Sequence, residues 1–464
     1  MATSALNRHL VLVGFMGAGK TTTGAEVAER LGREFADLDD LIGNPAEIFE
    51  RQGEAAFRAQ EAAALDKALA RREPTVISVG GGAVETDAVR LALRDEFVVA
   101  LDVDADTAWE RVRGSDRPLA QDEAELRRRY ELRAPFYAEV ADAHAGDVDG
   151  VVLAAAGVYV ETGALGRLSE LVASERVALV TEPNVAGIHG ADAQLALGSR
   201  LVESYELPAG EAAKSVQEVE RLWRALRIRR GDTIVALGGG SLTDVTGFAA
   251  ATFLRGCAWV PVPTTLVGQV DAAIGGKTAI DLPEGKNLIG AFHWPARTVI
   301  DPALIATLPA HERLNGMAEV VKTGLLAGEP LWELPDAELV RRCAAYKSAI
   351  CVRDPLDRGV RRTLNFGHTF AHALEAAAGF DLPHGRAVAL GMLAALRLSG
   401  RPTDAVEQVL HPEPARVDAD RAWGALLRDK KGPLSLILLG DDGAFEETLP
   451  EDDVRAALRE LIAR

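Results

Sequence analysis

Short apolar runs alternate with helix-favouring segments over the first two thirds of the chain. The run at residues 10–13 leads through a glycine-rich turn into a helical stretch, and similar runs lie at 176–181 and 232–237. Strands that alternate with helices predict parallel sheets covered by helices. Beyond about residue 305 the pattern becomes mainly helical. The chain is therefore predicted to be an α/β protein with a parallel-sheet domain at 1–156, a Rossmann-like α/β domain at 157–305 and a mainly helical domain at 306–464.

The junction after the first domain is predicted from small, polar and turn-forming residues. Residues 142–150 are rich in these types and are expected to form a linker, because such clusters disfavour regular elements. The apolar residues 151–153 are the candidates for the last strand of the first domain.

The composition narrows the class of protein. The chain has 464 residues and a formal net charge of −18, which argues against broad nucleic-acid binding. No apolar run approaches the roughly 18 residues of a membrane span, and the N-terminus has no signal-peptide pattern. The three cysteines form no CxxC pair and are expected to be reduced thiols. These features predict a cytoplasmic protein without membrane or nucleic-acid partners.

Lysine is scarce in this chain, and its positions are therefore informative. Nine of the 51 basic residues are lysine and the rest are arginine. Arginine evidently serves as the general surface cation, so the remaining lysines are expected where a compact ammonium binds an anionic ligand. Lys67, in an alanine-rich helical stretch, is the expected exception.

The first strand leads into a phosphate loop of the form GxxxxGK[ST] at residues 14–21. In such a loop, backbone N–H groups surround phosphates at a helix N-terminus, the lysine reaches the terminal phosphates and the hydroxyl binds Mg²⁺. The predicted ligands are Gly17, Ala18, Gly19, Lys20, Thr21 and Thr22.

Two aspartates belong to the second apolar run, at residues 35–42. Alternation along a strand would place Asp37 and Asp39 on one side, at the ligand edge of the sheet. One carboxylate would then join the magnesium shell, and the other would orient or deprotonate an acceptor hydroxyl. The alternative is a pair that caps a helix N-terminus.

The first domain resembles the shikimate kinase family over residues 8–150. The resemblance rests on the phosphate loop, Asp37-Leu38-Asp39, Phe57-Arg58, Gly80-Gly81-Gly82, Arg117-Pro118-Leu119 and Arg133-Ala134-Pro135-Phe136-Tyr137. Each arginine alone would more often be a surface residue. The resemblance implies ATP as nucleotide, Mg²⁺ at Thr21 and Asp37, and Asp39 at the acceptor hydroxyl. It also implies that Arg58 and Arg133 bind the shikimate carboxylate, that Gly80, Gly81 and Gly82 line the ring, and that Arg117 acts from a lid.

The second half carries a pair of histidines four residues apart. His368 and His372 would share one face of a helix, and His384 follows after a loop. Imidazole is a common zinc ligand, although a lone pair of this kind more often packs or caps. A glycine turn at 238–240 follows a strand and fits a pyrophosphate site, although it lacks the full dinucleotide fingerprint.

From about residue 157 to 464 the chain resembles the 3-dehydroquinate synthase family, most specifically at 238–292 and 315–375. The resemblance implies zinc (or cobalt) at Glu319, His368 and His384, with His372 beside the ligands. It implies NAD at Asn184, Glu211, Lys214, Gly239, Gly240, Asp244, Thr264 and Thr265. It also implies that the phosphorylated substrate is surrounded by Asp271, Lys277, Lys286, Lys322, Lys347, Arg361, Asn365 and Lys431 (or Lys430). A homodimer is implied, with Arg255 reaching the partner's site.

Two features depart from the family pattern. Arg386 stands where glutamate is usual, which would disturb the support of His384. The stretch 397–428 is short, so the helical domain is expected to be trimmed.

The two resemblances together imply an enzyme with two activities, phosphorylation of shikimate by ATP and conversion of 3-deoxy-arabino-heptulosonate 7-phosphate to 3-dehydroquinate and phosphate. Two alternatives stay open. The second half could be a zinc- and NAD-dependent polyol dehydrogenase, although a neutral polyol needs no cluster of cations. One half could also be an inactive binding unit, which the retained Lys20, Asp39, Glu319 and His368 argue against.

Overall fold

The computed structural model describes residues 4–43, 48, 51–114, 122–429 and 434–463. The chain forms two compact units, residues 1–157 and 158–464. The predicted division of the second unit at 305/306 stays a prediction. No helix within the described ranges is both long and apolar enough to span a membrane.

The first unit is a five-stranded parallel sheet with helices between its strands, in the order β2-β3-β1-β4-β5. Its strands are β1 (Leu10–Val13), β2 (Phe35–Asp37), β3 (Val76–Ser78), β4 (Phe97–Leu101) and β5 (Ala143–Ala145). Its helices are α1 (Lys20–Leu31), α2 (Leu38–Ile42), α3 (Glu54–Leu69), α4 (Asp87–Ala92), α5 (Ala105–Val112), α6 (Glu123–Val140) and α7 (Val148–Ala156). The central strands are buried on both faces, which explains their continuous apolar runs.

Three predictions about this unit are wrong. The second strand ends at Asp37, so Asp39 lies in the first turn of α2 and not on the strand. Asp37 caps this helix by accepting a hydrogen bond from Asp39 N at 3.0 Å, as the alternative anticipated. The predicted linker at 142–150 contains β5 and the start of α7, and residues 151–153 lie inside α7, where all three are buried, and not in a strand.

The second unit begins with a four-stranded parallel sheet in the order β10-β9-β7-β8. The strands of the unit are β6 (Val158–Val160), β7 (Val177–Thr181), β8 (Leu201–Glu206), β9 (Thr233–Gly238), β10 (Ala258–Pro263), β11 (Lys277–Leu282), β12 (Gly285–Phe292), β13 (Thr298–Ile300), β14 (Ser435–Gly440) and β15 (Gly443–Thr448). β6 pairs with β13 in parallel, whereas β11–β12 and β14–β15 are antiparallel hairpins.

Helices cover this sheet and then form a helical layer. They are α8 (Leu168–Leu171), α9 (Pro183–Val185), α10 (Ala191–Leu197), α11 (Val216–Ala225), α12 (Gly240–Thr252), α13 (Ala310–Ala327), α14 (Asp336–Arg353), α15 (His368–Ala377), α16 (His384–Leu398), α17 (Asp404–Leu410), α18 (Ala419–Asp429) and α19 (Glu451–Glu460). The α/β class with parallel sheets is thus confirmed.

Helices α15 and α16 approach each other through glycine. A Cβ added at Gly391 would lie 2.0 Å from the carbonyl oxygen of Gly367, which precedes α15. Buried side chains such as Phe370, Leu374 and Val388 fill the rest of this interface. The backbones are therefore held closer than any larger residue at 391 would permit.

Two candidate active sites

The phosphate loop of the first unit lies between β1 and α1. Gly17 and Gly19 have φ of 78° and 88°, a conformation that favours glycine. Lys20 Nζ donates to Gly14 O at 2.8 Å and to Phe15 O at 3.1 Å, so the lysine folds back over the loop. Thr21 Oγ1 donates to Asp37 Oδ2 at 2.6 Å, which brings together the two predicted magnesium ligands. Arg117 lies outside the described residues.

Beside this loop, two arginines lie against the triple-glycine turn. A Cβ at Gly82 would be 2.2 Å from Arg58 Nη2 and 2.8 Å from Arg133 Nη2, so only glycine leaves room for both guanidinium groups. Arg58 Nη1 donates to Glu61 Oε2 at 2.6 Å, and Arg133 Nε donates to Glu85 Oε1 at 2.5 Å. We call Arg58 and Arg133 the arginine pair.

Asp39 lies at the same glycine turn. A Cβ at Gly80 would be 3.7 Å from Asp39 Oδ1 and 2.1 Å from Glu61 Oε1. Burial raises the pKa of Glu61, an effect that Arg58 opposes. Tyr137 OH donates to Gly81 O at 2.5 Å, which fixes the turn. The structure thus gathers Asp39, the glycines and the arginine pair beside the phosphate loop. Sequence reasoning missed Glu61 and Glu85, which belong to no recognised motif.

In the second unit, Glu319 on α13, His368 on α15 and His384 on α16 converge on one point. One ligand atom of each lies within 4.8 Å of the others, and Glu319 Oε1 is 3.5 Å from His368 Nε2 and 3.3 Å from His384 Nε2. Two imidazoles and a buried carboxylate are a common donor set for catalytic zinc, so these residues fit the metal that the resemblance implies. His372 lies beside them, with its ring centroid 5.6 Å from that of His368.

Burial and neighbouring charges shift the pKa values of the three residues in this cluster. Burial alone would raise the pKa of Glu319, but Lys322 and the two histidines hold it well below its usual value. Burial and Lys322 lower the pKa of His368 to about 3, so this imidazole is neutral. Burial opposes protonation of His384, but Glu319 and Glu375 raise its pKa to about 10. Neutral imidazole and ionised carboxylate are the metal-binding forms, and a metal ion would displace the proton from His384.

Glu375 supports His384 from the far side, through Oε1 at 3.2 Å from Nδ1. Sequence reasoning missed this residue and looked to position 386 instead. Arg386 donates to the carbonyl oxygens of Glu413 and Pro414, at 3.0 Å each from Nη2. Glu375 therefore occupies the supporting position behind His384, and the effect of Arg386 on the metal site stays a prediction.

Next to the histidines, two buried lysines share one aspartate. Asp271 lies in a π-helical turn, Gly268–Ala272. Lys347 Nζ is 2.8 Å from Asp271 Oδ1, and Lys322 Nζ is 3.5 Å from the same oxygen and also contacts Glu319. Burial would raise the pKa of Asp271, but these lysines lower it below its usual value. We call Lys322 and Lys347 the lysine pair.

Three further predicted substrate residues border this pair. Arg361 is 2% exposed, and a Cβ at Gly275 would lie 2.7 Å from its Nη2. Lys277 is half-exposed and contacts Asp357. Asn365 ends the short 3-10 turn Val360–Asn365 and is exposed. Burial raises the pKa of the Cys351 thiol, an effect that the charges of Arg361, Lys347 and Lys277 oppose. Lys430 and Lys431 lie outside the described residues.

Most of the predicted dinucleotide residues lie around the glycine turn that begins α12. Lys214 Nζ donates to Asp244 Oδ2 at 2.8 Å and contacts Asn287, while Lys286 Nζ is 3.5 Å from Glu211. A Cβ at Gly239 would be 3.2 Å from Thr265 Cγ2, and Thr264 N donates to Gly238 O at 3.0 Å. Gly240 opens α12, and Asn184 is exposed on α9.

Two residues near this turn were missed by sequence reasoning. Glu182 Oε1 accepts from Gly239 N at 3.2 Å, and Asn287 has φ of 56° and contacts Lys214. Asn287 directly follows the predicted Lys286, so the dense glycine and lysine run was the signal that could have found it. Arg255 stands apart, at the end of the 3-10 turn Phe253–Arg255 with φ of 65°.

Comparison with protein families divides the chain in the same way. Residues 16–157 match the family model of shikimate kinase. Residues 204–315 match the N-terminal model of 3-dehydroquinate synthase, and residues 316–431 match its C-terminal model.

Relatives are similar over one or both units. A bifunctional shikimate kinase/3-dehydroquinate synthase of Thermotoga maritima is 32% identical over 472 residues, covering 91% of this chain and 93% of that protein. The 3-dehydroquinate synthase of Bordetella pertussis is 40% identical over 334 residues, covering 63% of this chain and 93% of that protein.

Solved structures are similar over the second unit. The 2-epi-5-epi-valiolone synthase of Streptomyces hygroscopicus, with NAD⁺ and Zn²⁺ bound, is 28% identical, covers 66% of this chain and 96% of its own, and has a TM-score of 0.58. A 2-deoxy-scyllo-inosose synthase is 24% identical with a TM-score of 0.59, covers 65% of this chain and 96% of its own, and shares the fold.

Proposed function

Because the chain belongs to the family of bifunctional shikimate kinase/3-dehydroquinate synthases, we propose that the residues gathered in each unit perform one of the two reactions. The first unit phosphorylates shikimate with ATP and Mg²⁺. The second unit converts 3-deoxy-arabino-heptulosonate 7-phosphate to 3-dehydroquinate and phosphate with NAD and a divalent metal. The observation that carries the residue assignment is the convergence of the lysine pair, Asp271 and the Glu319–His368–His384 cluster in one site.

In the kinase unit, the backbone of Gly17, Ala18 and Gly19 binds phosphates, and Thr22 follows at the N-terminus of α1. Lys20 turns from the loop carbonyls to the terminal phosphates, and Thr21 with Asp37 holds Mg²⁺. Asp39 orients the acceptor hydroxyl. The arginine pair binds the shikimate carboxylate, since planar guanidinium groups suit a carboxylate. Arg117 completes the assignment by stabilising phosphate charge.

In the synthase unit, Glu319, His368 and His384 would hold the divalent metal, which would supply Lewis-acid polarisation of a substrate hydroxyl, and bound NAD would supply reversible hydride transfer. The lysine pair, Lys277, Lys286, Arg361 and Lys431 bind the anionic substrate. Asp271 positions the lysine pair by accepting from both ammonium groups. His372, which lies beside His368, and Asn365 are assigned to contacts with the substrate ring.

NAD binding is assigned to the surroundings of the glycine turn at 238–240. The N-terminus of α12 and the backbone of Gly239 and Gly240 face the pyrophosphate. Lys214 and Asp244 form a buried ion pair that fixes the floor of this site. Asn184, Glu211, Thr264 and Thr265 complete the assignment.

We further propose that the protein is a cytoplasmic homodimer that forms through the synthase unit. Leu254 is exposed next to Arg255, and Leu288 and Phe292 are exposed on one face of β12. Exposed large apolar side chains support an interface, and Arg255 would reach the partner's substrate from it.

Two assays on the purified chain test the assignment. Phosphate release from the heptulosonate phosphate and ADP formation with shikimate are expected from the same preparation. Net NADH formation from a neutral polyol without phosphate release would instead identify a polyol dehydrogenase. Inactivity of one unit with its metal present would identify that unit as a binding module.

A further inference from the structure

Glu85 in the kinase unit lies against the arginine pair. It ends the 3-10 turn that follows the triple glycine, Ala83–Glu85. Its Oε1 accepts from Arg133 Nε at 2.5 Å and lies 4.0 Å from Arg129 Nη1, and its Oε2 lies 3.6 Å from Arg58 Nη2. One carboxylate thus faces both members of the arginine pair.

We propose that Glu85 is an internal competitor of the shikimate carboxylate and lowers the affinity of the kinase site for anionic substrates. This inference rests on the proposed role of the arginine pair. The Arg133 side chain is 6% exposed, and a buried guanidinium without an anion is costly. Glu85 satisfies this cation in the substrate-free state, so substrate binding exchanges one carboxylate for another.

Of the carboxylates Glu85 and Glu61, it is Glu85 that can move away from the arginine pair. Its side chain is 25% exposed, whereas that of Glu61, the other close partner of Arg58, is 1% exposed. Arg90 Nη1 donates to the carbonyl oxygens of Val84 and Glu85 at 2.7 and 3.2 Å, which anchors the backbone. The Glu85 side chain can therefore turn to solvent without moving the glycine turn, whereas Glu61 stays to orient Arg58.

The exchange has a defined cost. A ligand with a carboxylate replaces the ion pairs that Glu85 gives up, whereas a neutral analogue leaves either Glu85 in place or the arginine pair without an anion. Glu85 thus lowers the affinity for every ligand that displaces it, by the free energy of its own ion pairs with the arginine pair.

The test is the variant Glu85→Gln in the full chain. We expect the KM and Kd for shikimate to fall about 3- to 10-fold, as for removal of a partly exposed ion pair of about 1 kcal/mol, while the KM for ATP stays unchanged. Glu139→Gln, which removes the charge of a 53% exposed carboxylate 3.3 Å from Arg90 Nε, is the matched control and should change neither value.

A purely structural role for Glu85 predicts the opposite sign. If Glu85 merely positions the arginine pair, Glu85→Gln raises the KM for shikimate, and a raised or unchanged value overturns the proposal. Glu85→Asp, which keeps the charge but shortens the reach, provides a second variant and should give an intermediate fall. A wild-type chain that fails to phosphorylate shikimate would instead overturn the proposed function, so the two failures are distinguishable.

Discussion

The two units each gather cations for an anionic substrate, but they use different cations in different surroundings. In the kinase unit the arginine pair lies on a glycine turn and contacts Glu61 and Glu85, one of which reaches solvent. In the synthase unit the lysine pair is almost fully buried and shares Asp271. A planar guanidinium matches a carboxylate through two hydrogen bonds, whereas a compact ammonium fits a crowded site as a point charge.

The charge balance of the two sites differs in a way that bears on binding. In the synthase unit, the two ammonium groups of the lysine pair are matched by Asp271 and Glu319, and a divalent metal at Glu319 would leave the site positive. In the kinase unit, carboxylates of the protein match the arginine pair directly. A substrate anion is therefore attracted by excess positive charge in the synthase unit, whereas it has to displace a carboxylate of the protein in the kinase unit.

Removal of the metal cluster is expected to have the largest effect, and to affect only one of the two units. His384→Ala should abolish bound metal and synthase activity, since a site that loses one of three protein ligands no longer holds catalytic zinc. Kinase activity should be unchanged, because its residues lie in the first unit. Metal analysis and both assays check this, with the exposed His311→Ala as control. Full metal occupancy in His384→Ala would show that the ligand assignment is wrong.

Exchanging the cation types sharpens the comparison. Arg133→Lys should raise the KM for shikimate about 10- to 100-fold, because a lysine cannot reproduce the contacts of a planar guanidinium, and the KM for ATP should not change. Lys347→Arg should lower synthase kcat/KM by a similar factor of about 10 to 100, because the larger group overpacks the site beside Asp271. Steady-state kinetics of both reactions measure these effects.

The matched control for this exchange is Lys67→Arg on the surface of α3, which should leave both reactions unchanged. Full activity of Arg133→Lys and Lys347→Arg would mean that net charge alone, and not the shape of the cation, determines binding in each unit.

A smaller effect is expected from the turn that presents Arg361. Asp354 accepts from the backbone N–H groups of Arg358, Gly359 and Arg361 at 2.9, 2.6 and 3.1 Å. Burial opposes ionisation, but these bonds lower the pKa of Asp354 below its usual value. Asp354→Asn should reduce synthase kcat/KM about 3- to 10-fold through loss of the Arg361 position.

The same variant gives a pH dependence with a defined sign. Because the folded pKa of Asp354 is depressed, its stabilisation is fully present above the unfolded pKa of about 3.9 and is lost as the pH falls through the folded pKa. The difference in Tm between wild type and Asp354→Asn should therefore shrink on acidification. Asp441→Asn, at a 91% exposed side chain, is the control, and a difference that grows in acid would contradict the assignment.

The smallest effect is expected where the family pattern is broken. Arg386→Glu restores the usual residue, yet metal content and synthase activity should stay within about twofold, because Glu375 already supports His384. Glu375→Gln should lower metal affinity about 10-fold or more, as for other residues behind a metal ligand. Metal titration of the two variants decides between positions 386 and 375.

Sequence reasoning correctly predicted the parts of the molecule that local sequence patterns determine. The phosphate loop, the α/β class and the helical histidine pair follow from spacing and glycine positions, which fix backbone geometry within a few residues. Asp39 was placed on a strand because strand alternation and a helical cap look alike over three residues. The cap formed because Asp37 accepts from Asp39 N, a contact that only the backbone turn reveals.

Some of the site contacts join residues that lie far apart in the sequence. Glu85 meets Arg133 across 48 positions, and Glu319 meets His384 across 65. The second contact was expected through the resemblance to a family, whereas no pattern at Glu85 or Glu375 announced a partner. Contacts of this kind depend on how helices pack and on which side chain fills the space that glycine leaves, so they emerge only with the folded chain.

Metal affinity depends on the absence of a side chain at Gly391, where α15 and α16 are in contact. The helices carry His368 and His384 at their first positions, and the distance between these imidazoles depends on the close approach of the two backbones at Gly391, where an added Cβ would lie 2.0 Å from Gly367 O. A methyl group there would act as a wedge, spreading the two helices although it touches no ligand. Substitution of Gly391 is therefore expected to weaken the metal site although this residue contributes no chemistry of its own.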